Sequence, residues 1–331
     1  MAVTLAMLAK IETQPLKKYI IMNLLREIKV MEILPFENVD SLTSIAVRWR
    51  NLPSAAFRKI GGSYTASEGD TEQVWESVYP LGGEILYDRV FEKVKNTIVD
   101  MKKMQTDMKL LSIALTFNDY FINGDHGTDA DGFVGLKTRV SNMPSRQTVY
   151  FAGASSAGLD PTSSTANGRA FIDGLEEMHY KTNRGEHNAF FCNEGIKWGV
   201  GRVLRYINTA GGNMLDVTKD SFERSIPTLW GSPIYDMGLK KDQSTEIITA
   251  TESGGTGVAN TTSVYAAAFN EQQGITGIQL DGLESYDPLN GGEQESTPAK
   301  MVRVEWWLGL AGFGSYGVVR GRNVESAGNW T

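Results

Sequence analysis

Three glycines, Gly312, Gly314 and Gly317, stand in VRVEWWLGLAGFGSYGVVRG at the G-x-G-x-x-G spacing that cradles a dinucleotide pyrophosphate. That chemistry requires the glycines to close a strand and open a helix, so that helix N–H groups meet the phosphates. Here they lead into VVRG, which is β-prone, and the sequence after Gly317 is too short for a βαβ unit. The expected reading is a strand pair in which glycines relieve crowding or mark a bulge.

Other chemical patterns fail on similar grounds. GASSAG around Ser155 resembles a nucleophile elbow, but Ala157 stands where G-x-S-x-G needs its second glycine. DHGTDADG brings Asp125, Asp129 and Asp131 together as a calcium loop would. Aligning Gly132 with the obligatory loop glycine then puts Gly127 at the first ligand and Thr138 at the bidentate glutamate. A solvated loop is expected instead. His179, His187 and Cys192 match no zinc spacing, and His126 is the one further histidine. There is no phosphate-binding G-x-x-x-x-G-K-[ST]. No catalytic, cofactor-binding or metal-ligating residue is therefore predicted, and the chain reads as a non-enzyme.

The bulk properties narrow the class further. With 331 residues, 41% hydrophobic and 21% charged, the chain can build one large core or two modest ones. A net charge of −7 with no basic run argues against tight, direct nucleic-acid binding. Cys192 is the sole cysteine, so no intramolecular disulfide is available. MAVTLAMLAK places its first positive charge after its apolar run, the reverse of a secretory leader, and no apolar run approaches a bilayer span. The expectation is a soluble protein made in a reducing compartment.

The elements that remain suit association better than catalysis. Residues 1–36 read as a helix-rich arm, with Leu16, Ile20, Leu24, Ile28 and Met31 at steps of three and four before Pro35. Two strand-like runs within 45–90 flank the polar turn GGSYTASEGD, giving a long hairpin that carries Trp49, Phe57, Tyr64, Trp75 and Tyr79. An isolated hairpin is marginal in water and needs a surface to lie on. A long helix over about 97–122 follows, with Thr97 and Asp100 as a cap and Ile98, Met101, Met104, Met108, Leu111 and Leu115 as its apolar stripe. Beyond a Gly/Ser/Thr-rich stretch come helices at 166–181 and in EGIKWGVGRVLRYI. Strands are predicted at NAFFCN, TLWGSPIYDMG, TEIITAT, TSVYAAAFN, ITGIQLDGL and in the C-terminal pair.

In this order the elements resemble the major capsid protein of tailed bacteriophages, the Hong Kong 97-like fold. The likeness is carried by MEILPFENV, by the hairpin RWRNLPSAAFRKIGGSYTASEGDTEQVWESVYPLGGEILYDRV, and by FNDYFINGD with the following DGFVGLKTRV. It continues through FERSIPTLWGSPIYDMG and SVYAAAFNEQQGITGIQL to the C-terminal glycine-bearing strands.

The resemblance implies an α+β chain with an N-terminal arm (1–44), an extended loop (45–90) and a peripheral domain with the spine helix (91–140). An axial domain (141–290) and C-terminal strands returning to the peripheral domain (291–331) complete it. It further implies hexamers and pentamers closing an icosahedral shell around double-stranded DNA, assembled in the host cytoplasm and ending in the virion, with no cofactor and no membrane. A separate scaffolding protein and a portal would be partners, with room for a decoration protein. Subunit contacts are expected at Trp49, Phe57, Tyr64, Trp75 and Tyr79 of the loop and Leu16, Ile20 and Leu24 of the arm. Lys59 lies on the loop, but no acceptor matches it, so no covalent crosslink is predicted. The rival readings are an encapsulin-like shell around protein cargo and a soluble α/β enzyme using the acidic residues of NGDHGTDADG.

Overall fold

A computed structural model of the chain describes residues 3–4, 28–88, 90, 101–151, 158–182, 189–207, 216–219, 223–252, 261–270, 274–290, 292–294, 297–312, 314 and 316–325. Its strands are β1 (Val3–Thr4), β2 (Pro35–Asn38), β3 (Thr43–Asn51), β4 (Asp70–Ser77), β5 (Tyr79–Asp88), β6 (Thr148–Tyr150) and β7 (Ala189–Cys192). They continue with β8 (Asp216–Lys219), β9 (Ser225–Leu229), β10 (Ser232–Asp236), β11 (Thr261–Ala267), β12 (Ile275–Gln279), β13 (Glu284–Tyr286), β14 (Ala299–Gly312) and β15 (Val318–Glu325). The helices are α1 (Val30–Ile33), α2 (Met101–Asn123), α3 (Leu136–Ser141), α4 (Thr165–Lys181) and α5 (Glu194–Ile207).

Two sheets and the long helix α2 make the body. The six-stranded sheet runs β1-β2-β12-β14-β13, with β5 on the other edge of β14. The seven-stranded sheet runs β6-β15-β11-β7-β10-β9-β8. In β7 the side chains alternate between two apolar clusters. Phe191 meets the core around α2, while Phe190 and Cys192 meet the core under α4 and α5. Both faces of this sheet are thus covered, which explains why AFFC reads as a continuous apolar run. Each covering helix is set by a local cap: Ser164 Oγ accepts from Asn167 N at 3.1 Å, and Asn193 Oδ1 from Ile196 N at 3.0 Å.

The C-terminal half of α2 joins the two sheets. Phe117 stacks on Trp306 of β14 at 6.4 Å between ring centroids, and Phe121 meets Phe191 of β7 edge-on at 5.4 Å. The buried stripe is Leu110, Ile113, Ala114, Phe117, Phe121 and Ile122. This corrects the predicted stripe, because Met104 and Met108 lie in the open and Leu111 and Leu115 are only part-buried. The helix is apolar on two sides, and the side bearing aromatic rings has the larger area to bury. Ile98, Thr97 and Asp100 lie outside the described residues.

Three further expectations are corrected. The C-terminal strands do not pair with each other, because β5 occupies one edge of β14 and β12 and β13 occupy the other. β15 therefore crosses to the seven-stranded sheet, between β11 and β6. The second strand of the hairpin is two strands: Val78 is buried, donates its N–H to Leu42 O at 2.9 Å, and turns the chain so that β5 joins β14. TEIITAT forms no strand. Ile247 and Ile248 are instead buried in the core, with Asn123 Nδ2 at the end of α2 donating to Ile247 O at 2.8 Å.

The same segment carries a pH-sensitive group. Burial raises the Glu246 carboxyl above its ordinary value of 4.5, opposed by the bond from Asn193 Nδ2 at 3.3 Å and reinforced by Asp236 and Glu194. The folded chain then retains a proton that the unfolded chain has released. Stability from this group is complete below the ordinary value and is lost as pH rises through the raised one. Glu246→Gln keeps an acceptor for Asn193, and should flatten the fall in melting temperature as pH rises above the ordinary carboxyl value of 4.5. Glu325, also raised by burial, retains its own share of the slope. Identical slopes for the variant and the parent chain would contradict this account.

Candidate assembly interface

The hairpin is built to expose its apolar side. Antiparallel pairing sets Ile45 opposite Trp75, Val47 opposite Gln73, and the Trp49 backbone opposite Thr71. Residues two apart share a face, so Ile45, Val47 and Trp75 line one side, whereas Glu72, Val74 and Glu76 line the other. The acidic side is half-buried and the apolar side is open, with Trp75 61% exposed. This inverts the ordinary arrangement, in which a sheet turns its apolar face inward.

Residues 52–69 beyond the strands are exposed throughout, Phe57 at 108%. The tip is nonetheless ordered by local bonds. Gly62 N donates to Lys59 O at 3.0 Å, with Gly61 at φ +86°, a turn position that favours glycine. Arg58 Nη1 donates to Gly62 O at 3.1 Å, and its guanidinium lies over the Tyr64 ring at 5.2 Å. The tip therefore offers Leu52, Phe57, Ile60 and Tyr64 on a shaped loop.

The remaining expected contact residues divide clearly. Tyr79 belongs to β5, where it packs against the core and its hydroxyl lies 3.0 Å from His126 Nε2. It does not share the open face of the hairpin. Leu16, Ile20 and Leu24 lie outside the described residues, as does the Trp49 side chain. Ile28 and Met31, read as part of the arm stripe, are fully buried in this chain's own core. Sequence reasoning missed the open side of α2, where Met104 and Met108 are exposed one turn apart. Their spacing is visible in the apolar stripe read from the sequence, although they were not among the expected contact residues.

The motifs with possible chemistry find structural uses. In the acidic loop, Asp125 Oδ1 accepts from Gly127 N at 3.1 Å, and Asp129 accepts from Asp131 N at 3.0 Å and from the Tyr120 hydroxyl. That bond to Asp129 is the main cause that pushes the Tyr120 hydroxyl up to about 12, with burial second. Cys192 is fully buried, and desolvation raises its thiol far above the range where it would ionise. Ser155 and His187 lie outside the described residues. No described helix is long and apolar enough to cross a membrane.

No family model matches the sequence, and no curated relative matches it. Solved structures do. The holo encapsulin complex of Synechococcus elongatus PCC 7942 is similar over 90% of this chain and 87% of its own, with a TM-score of 0.61 at 12% identity. The capsid of a native GTA particle is similar over 89% of each chain, with a TM-score of 0.59 at 11% identity. The chain has the Hong Kong 97-like capsid fold.

A structure from Mycobacterium phage Bobi agrees, with a TM-score of 0.55 at 10% identity over 91% of this chain and 89% of its own. The likeness read from sequence therefore holds at the level of fold, across nearly the whole chain. Within this Hong Kong 97-like chain the opening glycines lie between the two sheets. Gly312 ends β14 in one, and Gly317 precedes β15 in the other, its carbonyl accepting from Ala268 N at 2.8 Å.

Proposed function

We propose that this chain is a major capsid subunit of a tailed bacteriophage, assembling into hexamers and pentamers of an icosahedral shell that encloses double-stranded DNA. The observation that carries the reading is the open apolar face of the hairpin, on a fold shared with shell-forming proteins. A free chain leaves Trp75, Ile45, Val47, Phe57 and Ile60 in water, and each side chain covered by a neighbour is worth roughly 1.5–3 kcal/mol before entropy costs. Repeated around a closed symmetric assembly, such contacts make a shell. The acidic balance of the chain suits a container whose wall must not hold DNA fast.

In this reading the six-stranded sheet with α2 forms the peripheral domain, and the seven-stranded sheet with α4 and α5 forms the axial domain. Of the C-terminal strands, β14 goes with the former and β15 with the latter. Scaffolding and portal proteins are the expected partners, and the chain has no catalytic role. Purified particles should contain nuclease-protected double-stranded DNA when produced with the packaging proteins of their phage. Particles that instead hold protein cargo under those conditions would move the reading to an encapsulin-like compartment.

Trp75→Ser tests the interface directly. Because Trp75 is largely exposed within the chain, its loss should leave the subunit's own unfolding unchanged while lowering particle yield at least about tenfold. Unchanged yield and unchanged particle melting would show that Trp75 is not a contact residue.

A further inference from the structure

The hairpin is a lever held at one end, and its stem carries a buried ion pair with no role in the contacts above. Glu76, the penultimate residue of β4, faces away from Trp75 and is 12% exposed in its side chain; Arg139 of α3 is 8% exposed. The guanidinium holds both carboxylate oxygens, Nη1 to Oε1 at 2.5 Å and Nη2 to Oε2 at 2.9 Å. Two further donors go to backbone carbonyls, Nε to Val134 O at 3.0 Å and Nη2 to Leu310 O. Gly312 N donates back to Glu76 Oε1 at 3.4 Å. A Cβ on Gly312 would lie 2.8 Å from Arg139 Nη1, so a larger residue here would push the guanidinium out of its present position. One glycine of the dinucleotide-like motif thus serves an ion pair.

We propose that Glu76, Arg139 and Gly312 form a latch that fixes the direction in which the hairpin leaves the body. Four segments meet there: the stem of β4, the loop before α3, α3 itself and the end of β14. A bidentate arginine–carboxylate pair constrains angle as well as distance, which a single contact does not. The leverage is large. Eight residues of β4 at about 3.3 Å each give an arm of roughly 26 Å, so a 15° rotation at the stem moves its far end by about 7 Å. Every copy must present the hairpin at one angle if identical contacts are to close a shell. That consequence rests on the capsid reading; the latch itself does not.

The test measures the angle rather than the assembly. Spin labels on Ile60→Cys at the exposed tip and Ala166→Cys on the exposed start of α4 report the intrachain distance by pulsed electron resonance. Labelled chain is diluted in unlabelled chain so that neighbours do not contribute, and the buried Cys192 stays unlabelled in the folded protein. The latched chain should give one narrow distance distribution. Glu76→Gln, which removes the charge, and Arg139→Lys, which cannot serve both oxygens and both carbonyls, should each broaden it at least twofold, with the near-ultraviolet dichroism of the body retained. Distributions as narrow as the parent's in both variants would overturn the proposal. So would loss of the body's dichroism together with the tip distance, since the pair would then be a core element rather than a latch. A failed latch in a chain that still builds shells would leave the capsid reading intact.

Discussion

Replacing Trp306 with alanine should destabilise the chain by on the order of 5 kcal/mol, the largest effect expected of any single truncation. Trp306 is fully buried at the point where three elements meet. Its ring lies 5.1 Å from that of Phe36 after β2 begins, and 6.4 Å from that of Phe117 on α2. Alanine would lose the area of the indole and leave a cavity that the surrounding strands cannot close, because β14 is paired on both edges. A polar loss adds to this. The indole N–H donates to Gln279 Oε1 at 3.1 Å, and Gln279 in turn donates to Asn38 Oδ1 at 2.8 Å. Trp306→Phe separates the two contributions, since it keeps most of the packing and should cost only about 1–3 kcal/mol. Equilibrium denaturation of both variants checks the pair. A cost below about 2 kcal/mol for Trp306→Ala would mean that this ring does not hold α2 against the six-stranded sheet.

The second large effect is electrostatic. Arg320 of β15 places Nη2 at 2.9 Å from each oxygen of Glu252, its Nε at 3.0 Å from Ser263 Oγ, and its guanidinium over the Tyr265 ring at 5.6 Å. Lys137 Nζ stands 3.7 Å from the same carboxylate but is far more exposed. With side chains 11% and 12% exposed, the Arg320–Glu252 pair has little solvent to fall back on. Arg320→Met should therefore cost about 3–5 kcal/mol, mainly through the stranded carboxylate. The double variant Arg320→Met with Glu252→Leu removes both charges and should recover much of that loss. Costs that simply add in a double-mutant cycle would show that the two side chains are not coupled.

What the sequence made legible was local. The helix expected at 166–181 appears as Thr165–Lys181 because its start is written in Ser164 and its face in Phe171, Ile172, Leu175 and Met178. Strands such as NAFFCN and TSVYAAAFN followed from composition alone. The misreadings share a cause. Which side of α2 faces inward depends on Trp306 and Phe191, far away in the chain. The partner of β15 depends on edges of β14 already taken by β5, β12 and β13. At the candidate interface, the hairpin aromatics were visible, and Phe57 and Trp75 are exposed as an interface requires. Tyr79 was grouped with them because nothing nearby reveals that Val78 turns the chain into another sheet. Glu76 and Arg139 carry no spacing signal at all, since only the tertiary fold brings them together.

The central claim is that this chain closes into shells through its exposed hairpin. Size exclusion followed by negative-stain microscopy of the purified chain, alone and co-expressed with the proposed scaffolding and portal proteins, tests that claim most directly. The account predicts capsomers of five and six or closed shells in at least one condition. A stable monomer in every condition would contradict it.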